Sequence, residues 1–310
     1  MVSEPTPWRA RVAVVPLLAM LAGACATKPP IPTEELSPRL EQSNRVLAPA
    51  GKGPYPVVLL LHTCFGNLGH VDQWARRLQS LGYVAVVVNS MQARGLAGHF
   101  DNLAVCTGRA MRAADRARDI AISLDELRRR PSADLTRVAI VGFSHGAWTA
   151  LDYLGEPLAA GSGESVSARR PGLRSIVAVY PYCGGEVEQG LDKWPRDVPV
   201  LMLLAGSDGT VGTAGCESLV RAQTTQGYAV FLHVYPGAKH GYDIDPALLD
   251  GYDERYDAPA ALDTRKRIIE FLAQTLRSGA PELPPAADSG DARRVAEQAV
   301  HVQNSHRRLR

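Results

Sequence analysis

Short, unbroken runs of apolar residues alternate along this chain with stretches that have the apolar spacing of helices. The runs, most of them unbroken, lie at residues 55–61, 83–88, 138–141, 175–179, 198–205 and 228–234. Such runs are typical of strands that are buried on both faces of a parallel sheet. Helices are predicted at residues 71–81, 109–130, 216–226 and 263–276. The alternation predicts an α/β fold in which helices cover both faces of a mostly parallel, doubly wound sheet.

The run at residues 138–141 leads directly into the most informative motif of the chain, Gly142-Phe143-Ser144-His145-Gly146. An apolar strand, a Gly-x-Ser-x-Gly turn and a following helix together predict a nucleophile elbow. The two glycines lack the Cβ atoms that would collide where strand and helix approach each other. Ser144 is therefore the candidate nucleophile, and the alternative is an ordinary serine in a strand–loop connection.

A serine hydroxyl needs a neighbouring base, and the base needs a group that fixes its tautomer. In α/β-hydrolases the chain order is serine, acid, histidine. Asp208 and His240 follow Ser144 in that order, and each comes after an apolar strand, so all three can meet at one edge of the sheet. Asp243 is too close to His240 in sequence, and Asp197 precedes its strand. Asp208 is thus the candidate acid, although Ser-Asp-Gly is also a turn sequence.

Acyl transfer also requires donors that point at the developing oxyanion. The backbone amide of His145, directly after the nucleophile, is one candidate. The loop after the strand at residues 55–61 is placed to supply the second, with the amide of Cys64 as the candidate. The Cys64 thiol is an alternative nucleophile, but it has no elbow.

The first 25 residues predict a targeting segment that is not part of the fold. Arg9 and Arg11 precede an apolar run at residues 12–22, which is short for a membrane span. The segment resembles a bacterial lipoprotein signal in which Cys25 becomes the lipidated first residue. Cleavage after Ala24 fits as well, and an uncleaved anchor is the third possibility. We expect an exported protein, either periplasmic or attached to the outer membrane through Cys25.

The rest of the chain divides into a tether with an edge strand at residues 26–53, one domain at residues 54–277 and a disordered tail at residues 278–310. Four cysteines lie within the domain: Cys64, Cys106, Cys183 and Cys216. In an oxidising compartment the four cysteines can form two disulfides in three different arrangements, and the sequence does not choose among them. Free buried thiols are the alternative.

Composition removes several function classes. The 310 residues are 45% hydrophobic and 21% charged, which suits one large domain. A net charge of +2 gives no reason to expect a nucleic-acid partner. No phosphate-loop or dinucleotide motif and no zinc-like cysteine spacing is present. We therefore expect a small-molecule substrate and neither a metal nor a cofactor.

From about residue 54 to residue 271 the chain resembles the dienelactone hydrolase family of α/β-hydrolases, in an exported branch. Residues 62–66 (HTCFG) resemble that family's His-Gly-Cys-Gly-Gly loop, and residues 89–95 (NSMQARG) resemble its Asp-Ser-Phe-x-x-Arg-Gly loop. Residues 180–183, 208–216 and 239–243 match later segments of the family. The resemblance implies an α/β-hydrolase fold and cleavage of a carboxylic ester or lactone.

The chain departs from the family at several positions. The founding members use a cysteine nucleophile, whereas this chain has Ser144, which implies a serine esterase that forms an acyl-enzyme. Its acid loop is shorter, and the acidic residue that the family has in its first loop is either replaced by Thr63 or absent. Dienelactone itself is therefore not implied as the substrate. Arg94 resembles the position that holds a substrate carboxylate, a role that suits a bidentate guanidinium; a structural salt bridge is the alternative.

Two other functions remain compatible with the same scaffold. One is hydrolysis of a peptide or thioester, since a fold does not determine its substrate. The other is a non-catalytic lipoprotein that keeps the hydrolase scaffold for binding, for which the shortened acid loop is the best support.

Overall fold

Seven strands form one sheet in the computed structural model, which describes residues 30–155, 172–184, 194–248 and 255–276. The strands are β1 (Arg45–Leu47), β2 (Tyr55–Leu61), β3 (Val84–Val88), β4 (Ala133–Phe143), β5 (Leu173–Val179), β6 (Val200–Ala205) and β7 (Val230–Tyr235). Their order is β1-β3-β2-β4-β5-β6-β7, and β1 alone among these strands pairs antiparallel. All six parallel strands therefore present their carboxyl ends at one edge, where ligands bind in sheets of this kind.

Helices cover both faces of the sheet, as the sequence predicts. The helices of the described residues are α1 (Thr33–Ser43), α2 (His70–Ser80), α3 (His99–Cys106), α4 (Ala113–Leu127), α5 (His145–Gly155), α6 (Ala214–Thr225) and α7 (Ala258–Thr275), with short 3₁₀ turns at Gln92–Arg94 and Pro246–Leu248. None of these helices is both long and apolar enough to span a membrane.

Alternate residues of the central strands enter two separate apolar cores. Val57, Leu59 and Leu61 pack with α1, α4, α5 and α6 on one face. Val58 and Leu60 pack with α2 and α7 on the other. Both sets are fully buried, and this explains why β2 is apolar without interruption.

Three local predictions differ from the structure. Helix α1 occupies most of the segment predicted as a tether, because Leu36 and Leu40 lie one turn apart and are fully buried in the core. The predicted edge strand is present there as β1. The predicted loop at residues 89–108 contains the Gln92–Arg94 turn and α3, and the helix predicted at residues 109–130 is the shorter α4. The predicted targeting segment at residues 1–25 and the tail at residues 278–310 lie outside the described residues.

Candidate active site

Ser144 lies alone between the end of β4 and the start of α5, with a φ of 53° in the left-handed region. The backbones around it are in contact. A Cβ atom on Gly142 would lie 2.3 Å from the carbonyl oxygen of Gly146, and one on Gly146 would lie 2.3 Å from the carbonyl oxygen of Leu61. This is the strained strand–turn–helix geometry that the motif predicts.

The structure brings Ser144, His240 and Asp208 together in one hydrogen-bonded chain. The Oγ atom of Ser144 lies 2.8 Å from Nε2 of His240, and Nδ1 of His240 lies 2.7 Å from Oδ2 of Asp208. A carboxylate only accepts hydrogen bonds, so Nδ1 carries the proton and donates to Asp208. Nε2 is then the acceptor for the serine proton, which is the arrangement of a general base next to a nucleophile.

Asp208 is held in place by its own loop. The backbone amides of Thr210 and Val211 donate to Oδ1 at 2.9 and 3.0 Å, and Ser207 N–H donates to the carbonyl of Ala238 in the loop that carries His240. Burial alone would raise the pKa of Asp208, but the hydrogen bond and charge of His240 and the two amides hold it below its usual value. The carboxyl group is therefore ionised at neutral pH, despite the shortened loop.

Tyr180 supports the other side of His240. Its ring centroid lies 4.9 Å from that of His240, and its φ of 39° places it in the left-handed region. Its hydroxyl donates to Oδ1 of Asp243 at 2.6 Å, while Nε2 of His70 lies 3.0 Å from Oδ2 of the same carboxylate. Sequence reasoning excluded Asp243 as the acid but did not predict this supporting role. The match of residues 239–243 to a segment of the family was the one indication that could have pointed to it.

The two candidate oxyanion donors lie on neighbouring segments. The loop after β2 contacts the first turn of α5 at Gly146, next to His145. A hydrogen bond from Gly66 N–H to the Thr63 carbonyl closes this loop around Cys64. Within the described part of the chain, neither the Cys64 amide nor the His145 amide donates to a protein acceptor. The lack of a protein acceptor for both amides is compatible with the predicted oxyanion role.

A buried polar cluster lies behind these two segments, and sequence reasoning missed it. Its members are His62, His145, Arg116 and Ser90, all at most 4% exposed. Burial, followed by the positive charge of Arg116, lowers the pKa of His62 far below 6.5 and that of His145 to about 3. Both histidines are thus neutral. The available signal was an arginine on the buried face of α4, between Ala113 and Ile120.

The contacts of Arg94 are those of the salt-bridge alternative. Its Nη1 and Nη2 atoms donate to the two carboxylate oxygens of Asp119 at 2.7 and 2.8 Å, and Nη1 also donates to the carbonyl of Ser90. The Asp119 side chain is fully buried and that of Arg94 is 10% exposed. The guanidinium fork is therefore occupied within the protein, whereas a role of Arg94 in holding a substrate carboxylate stays a prediction.

The four cysteines of the domain form two disulfides, Cys64–Cys106 and Cys183–Cys216. The first joins the candidate oxyanion loop to the end of α3. The second joins the loop after β5 to α6, the helix that follows the Asp208 loop. The free-thiol alternative does not hold for these residues, and each disulfide anchors a segment next to the site.

Aromatic side chains are exposed around the site. Phe65 follows Cys64 directly and is 46% exposed, and Tyr182 is 40% exposed. The Tyr182 ring packs 5.0 Å from that of Trp148, one helical turn after Ser144. These rings offer exposed apolar surface on segments that adjoin the candidate site, the loop that carries Cys64 and the helix that follows Ser144.

The family profile described as "Dienelactone hydrolase family" matches residues 43–276 of this chain. A candidate carboxymethylenebutenolidase of Yersinia pestis is 28% identical over 231 residues, which cover 72% of this chain and 79% of that protein. A candidate carboxymethylenebutenolidase of Methylorubrum extorquens is 26% identical, with 73% of this chain and 74% of that protein covered.

Solved structures agree on the fold. A candidate dienelactone hydrolase from Klebsiella pneumoniae superposes with a TM-score of 0.60 at 20% identity, covering 74% of this chain and 92% of that one. A dienelactone hydrolase-like promiscuous phosphotriesterase from metagenomic libraries also gives 0.60 at 20% identity, covering 73% and 89%. Esterase 2 of Thermogutta terrifontis, phosphorylated by paraoxon, gives 0.53 at 15% identity, covering 76% and 90%. The chain therefore belongs to the dienelactone hydrolase family, and it is a hydrolase with the α/β-hydrolase fold that acts on a small-molecule substrate.

Proposed function

We propose that the protein is a serine hydrolase that cleaves a carboxylic ester or lactone through an acyl-enzyme. The observation that carries this proposal is the hydrogen-bonded chain from Ser144 through His240 to Asp208, with distances of 2.8 and 2.7 Å. A serine that is merely structural needs neither an elbow nor an oriented histidine.

The reaction follows from this geometry. Ser144 Oγ attacks the ester carbonyl carbon while Nε2 of His240 takes its proton, and the amides of Cys64 and His145 donate to the oxyanion. The imidazolium then gives the proton to the leaving alkoxide as the C–O bond breaks. Water, deprotonated by the same Nε2, attacks the acyl-enzyme. The C–Oγ bond then breaks, the imidazolium returns the proton to Ser144 Oγ, and the acid is released. Asp208 keeps the proton on Nδ1 throughout and stabilises the imidazolium.

The oxidation state of the cysteines supports serine as the nucleophile. Cys64 is paired with Cys106, and Cys183 is paired with Cys216, so none of these sulfur atoms is a thiolate. The two disulfides also support the proposal that the protein is exported to an oxidising compartment, with or without a lipid on Cys25.

The substrate that we propose has no carboxylate next to the reacting ester. Arg94, the cation expected to bind such a group, is bidentate with Asp119. The exposed rings of Phe65 and Tyr182 favour an apolar acyl or alcohol group instead. The intact Asp208–His240 contact supports catalysis over a non-catalytic binding role, and a panel that includes thioesters and peptides separates the remaining hydrolytic classes.

A fluorophosphonate probe tests the function directly. We expect labelling of the mature protein and hydrolysis of neutral aryl esters, and we expect Ser144→Ala to abolish both while unfolding at the same temperature. Failure of the wild type to react with the probe or to hydrolyse any ester would refute the proposal.

A further inference from the structure

Arg116 lies in the first turn of α4 and is fully buried. Its Nη1 atom donates to the carbonyl oxygen of His62 at 2.9 Å and lies 3.2 Å from Nδ1 of His145. Its Nε atom donates to Oγ of Ser90 at 3.0 Å. One guanidinium therefore contacts both segments that carry the candidate oxyanion donors.

The tautomer of His145 is determined by its other contact. Nε2 lies 3.2 Å from the carbonyl oxygen of Met111, which only accepts, so Nε2 carries the proton. Nδ1 is then an acceptor, and Arg116 donates to it. On the other segment, the His62 carbonyl is separated from the Cys64 amide by Thr63 alone. Arg116 thus forms a hydrogen bond with each segment at most two residues from its candidate oxyanion donor.

Burial of the charged guanidinium of Arg116 costs free energy, which a residue that only fills the core would not require. Burial lowers its pKa to about 9, so it remains a cation at neutral pH, and no side-chain or backbone acceptor meets its Nη2 among the described residues. The nearby carboxylate of Asp119 takes both of its hydrogen bonds from Arg94. Apolar residues of similar volume often replace buried ions at no cost in stability. The planar Nη1 atom directs its two N–H groups at a fixed angle to the His62 carbonyl and to Nδ1 of His145, and an apolar side chain cannot hold two acceptors in this way.

We propose that Arg116 is a positioning residue for oxyanion stabilisation, which fixes the amides of Cys64 and His145 relative to each other. The proposal rests on the proposed function. It concerns only the step in which negative charge develops on the carbonyl oxygen, because the hydrogen bonds of Arg116 go to Ser90, His62 and His145 and not to Ser144 or His240. A displaced donor weakens transition-state binding more than substrate binding, so the loss belongs in kcat and not in KM.

A pair of substrates isolates this effect. A thionoester replaces the carbonyl oxygen with sulfur, which accepts hydrogen bonds weakly and gains little from the oxyanion donors. We therefore compare the ratio of kcat/KM for an aryl ester to that for its thionoester in the wild type, Arg116→Met and Arg116→Lys. The matched control is Arg118→Met on the same helix, since Arg118 donates to the carbonyl of Ile31, away from the site.

We expect Arg116→Met to lower the ester-to-thionoester ratio about tenfold or more through kcat, given the 10²–10³-fold effect of removing a whole donor. Arg116→Lys, which keeps the charge but not the fork, should lower it severalfold and covers the case in which the methionine variant does not fold. Arg118→Met should keep the wild-type ratio. A folded Arg116 variant that keeps the wild-type ester-to-thionoester ratio would overturn this role alone. Turnover that persists in Ser144→Ala would overturn the proposed function as well.

Discussion

The hydroxyl of Tyr180 donates a 2.6 Å hydrogen bond to Asp243, three residues after His240. This bond closes a loop of contacts, since the Tyr180 ring also packs against the imidazole of His240. Burial acts to raise the pKa of Asp243, but the charge and hydrogen bond of His70 and the hydroxyl of Tyr180 hold it below its usual value. The carboxylate is therefore an ionised anchor for the loop that carries His240.

Tyr180→Phe should test this anchor, because it removes the hydroxyl and keeps the ring against His240. We expect a loss of roughly 1–3 kcal/mol in the free energy of unfolding, measured in urea, as one donor to a buried carboxylate is lost. Tyr235→Phe is the control: its hydroxyl bonds to the partly exposed Asp263, so its loss should be smaller. Equal losses in the two variants would argue against a special role for Asp243.

Asp208→Asn should show whether Asp208 serves to orient His240 for catalysis or to stabilise the fold. The amide no longer fixes the proton on Nδ1 of His240, so we expect kcat for a neutral ester to fall by about 10³–10⁴ with little change in thermal unfolding. Ser144→Ala sets the background rate. Activity within tenfold of the wild type would show that another group orients His240.

Stability should fall in mild acid because of two buried histidines. His62 and His145 stay neutral in the native protein, since burial and then Arg116 lower their pKa values, whereas the unfolded chain takes up protons on both below 6.5. The unfolded state then binds more protons, so the free energy of unfolding falls by up to roughly 1.4 kcal/mol per pH unit for each histidine. Urea unfolding at pH 7.5, 6.5 and 5.5 measures the slope. His62→Gln should reduce it, and a stability that does not change with pH over this range would contradict the prediction.

Gly146→Ala should disrupt the elbow. The added Cβ would lie 2.3 Å from the Leu61 carbonyl oxygen, so β2 and α5 have to separate, and we expect the rate of fluorophosphonate labelling to fall at least tenfold. At Gly237 no atom lies within 4 Å of the added Cβ, so Gly237→Ala provides the comparison. Wild-type labelling of the Gly146 variant would show that the contact can relax.

Arg94→Lys tests whether this cation is structural. The lysine cannot form the bidentate pair with the buried carboxylate of Asp119, so we expect a loss of roughly 1–3 kcal/mol in the free energy of unfolding. The ratio of kcat/KM for a neutral ester to that for the same ester bearing a carboxylate should not change. A change in this ratio would indicate that Arg94 binds the carboxylate of the substrate.

The elbow and its partners could be predicted because their signals are local or ordered along the chain. Gly142, Ser144 and Gly146 sit within five residues, and Asp208 and His240 follow in the expected order. Arg116 could not be predicted in the same way. Its partners Ser90, His62 and His145 lie 26, 54 and 29 residues away and meet only in the folded chain.

Two further features depended on tertiary structure. Helix α1 contains Pro38 and presents only two leucines to the core, so composition alone favoured a tether. The disulfide pairing was open because four cysteines allow three arrangements, and only the approach of α3 to the oxyanion loop selects one of them.

The two disulfides make the structure around the site depend on the redox conditions. Cys64–Cys106 and Cys183–Cys216 each join a loop at the reacting edge to a helix beside it, while the close contacts of the elbow glycines are with backbone atoms. A thiol reductant would thus act on the frame around Ser144 and not on the nucleophile. With the export that we propose, the chain would acquire both disulfides, and with them the fully braced site, only after it reaches an oxidising compartment.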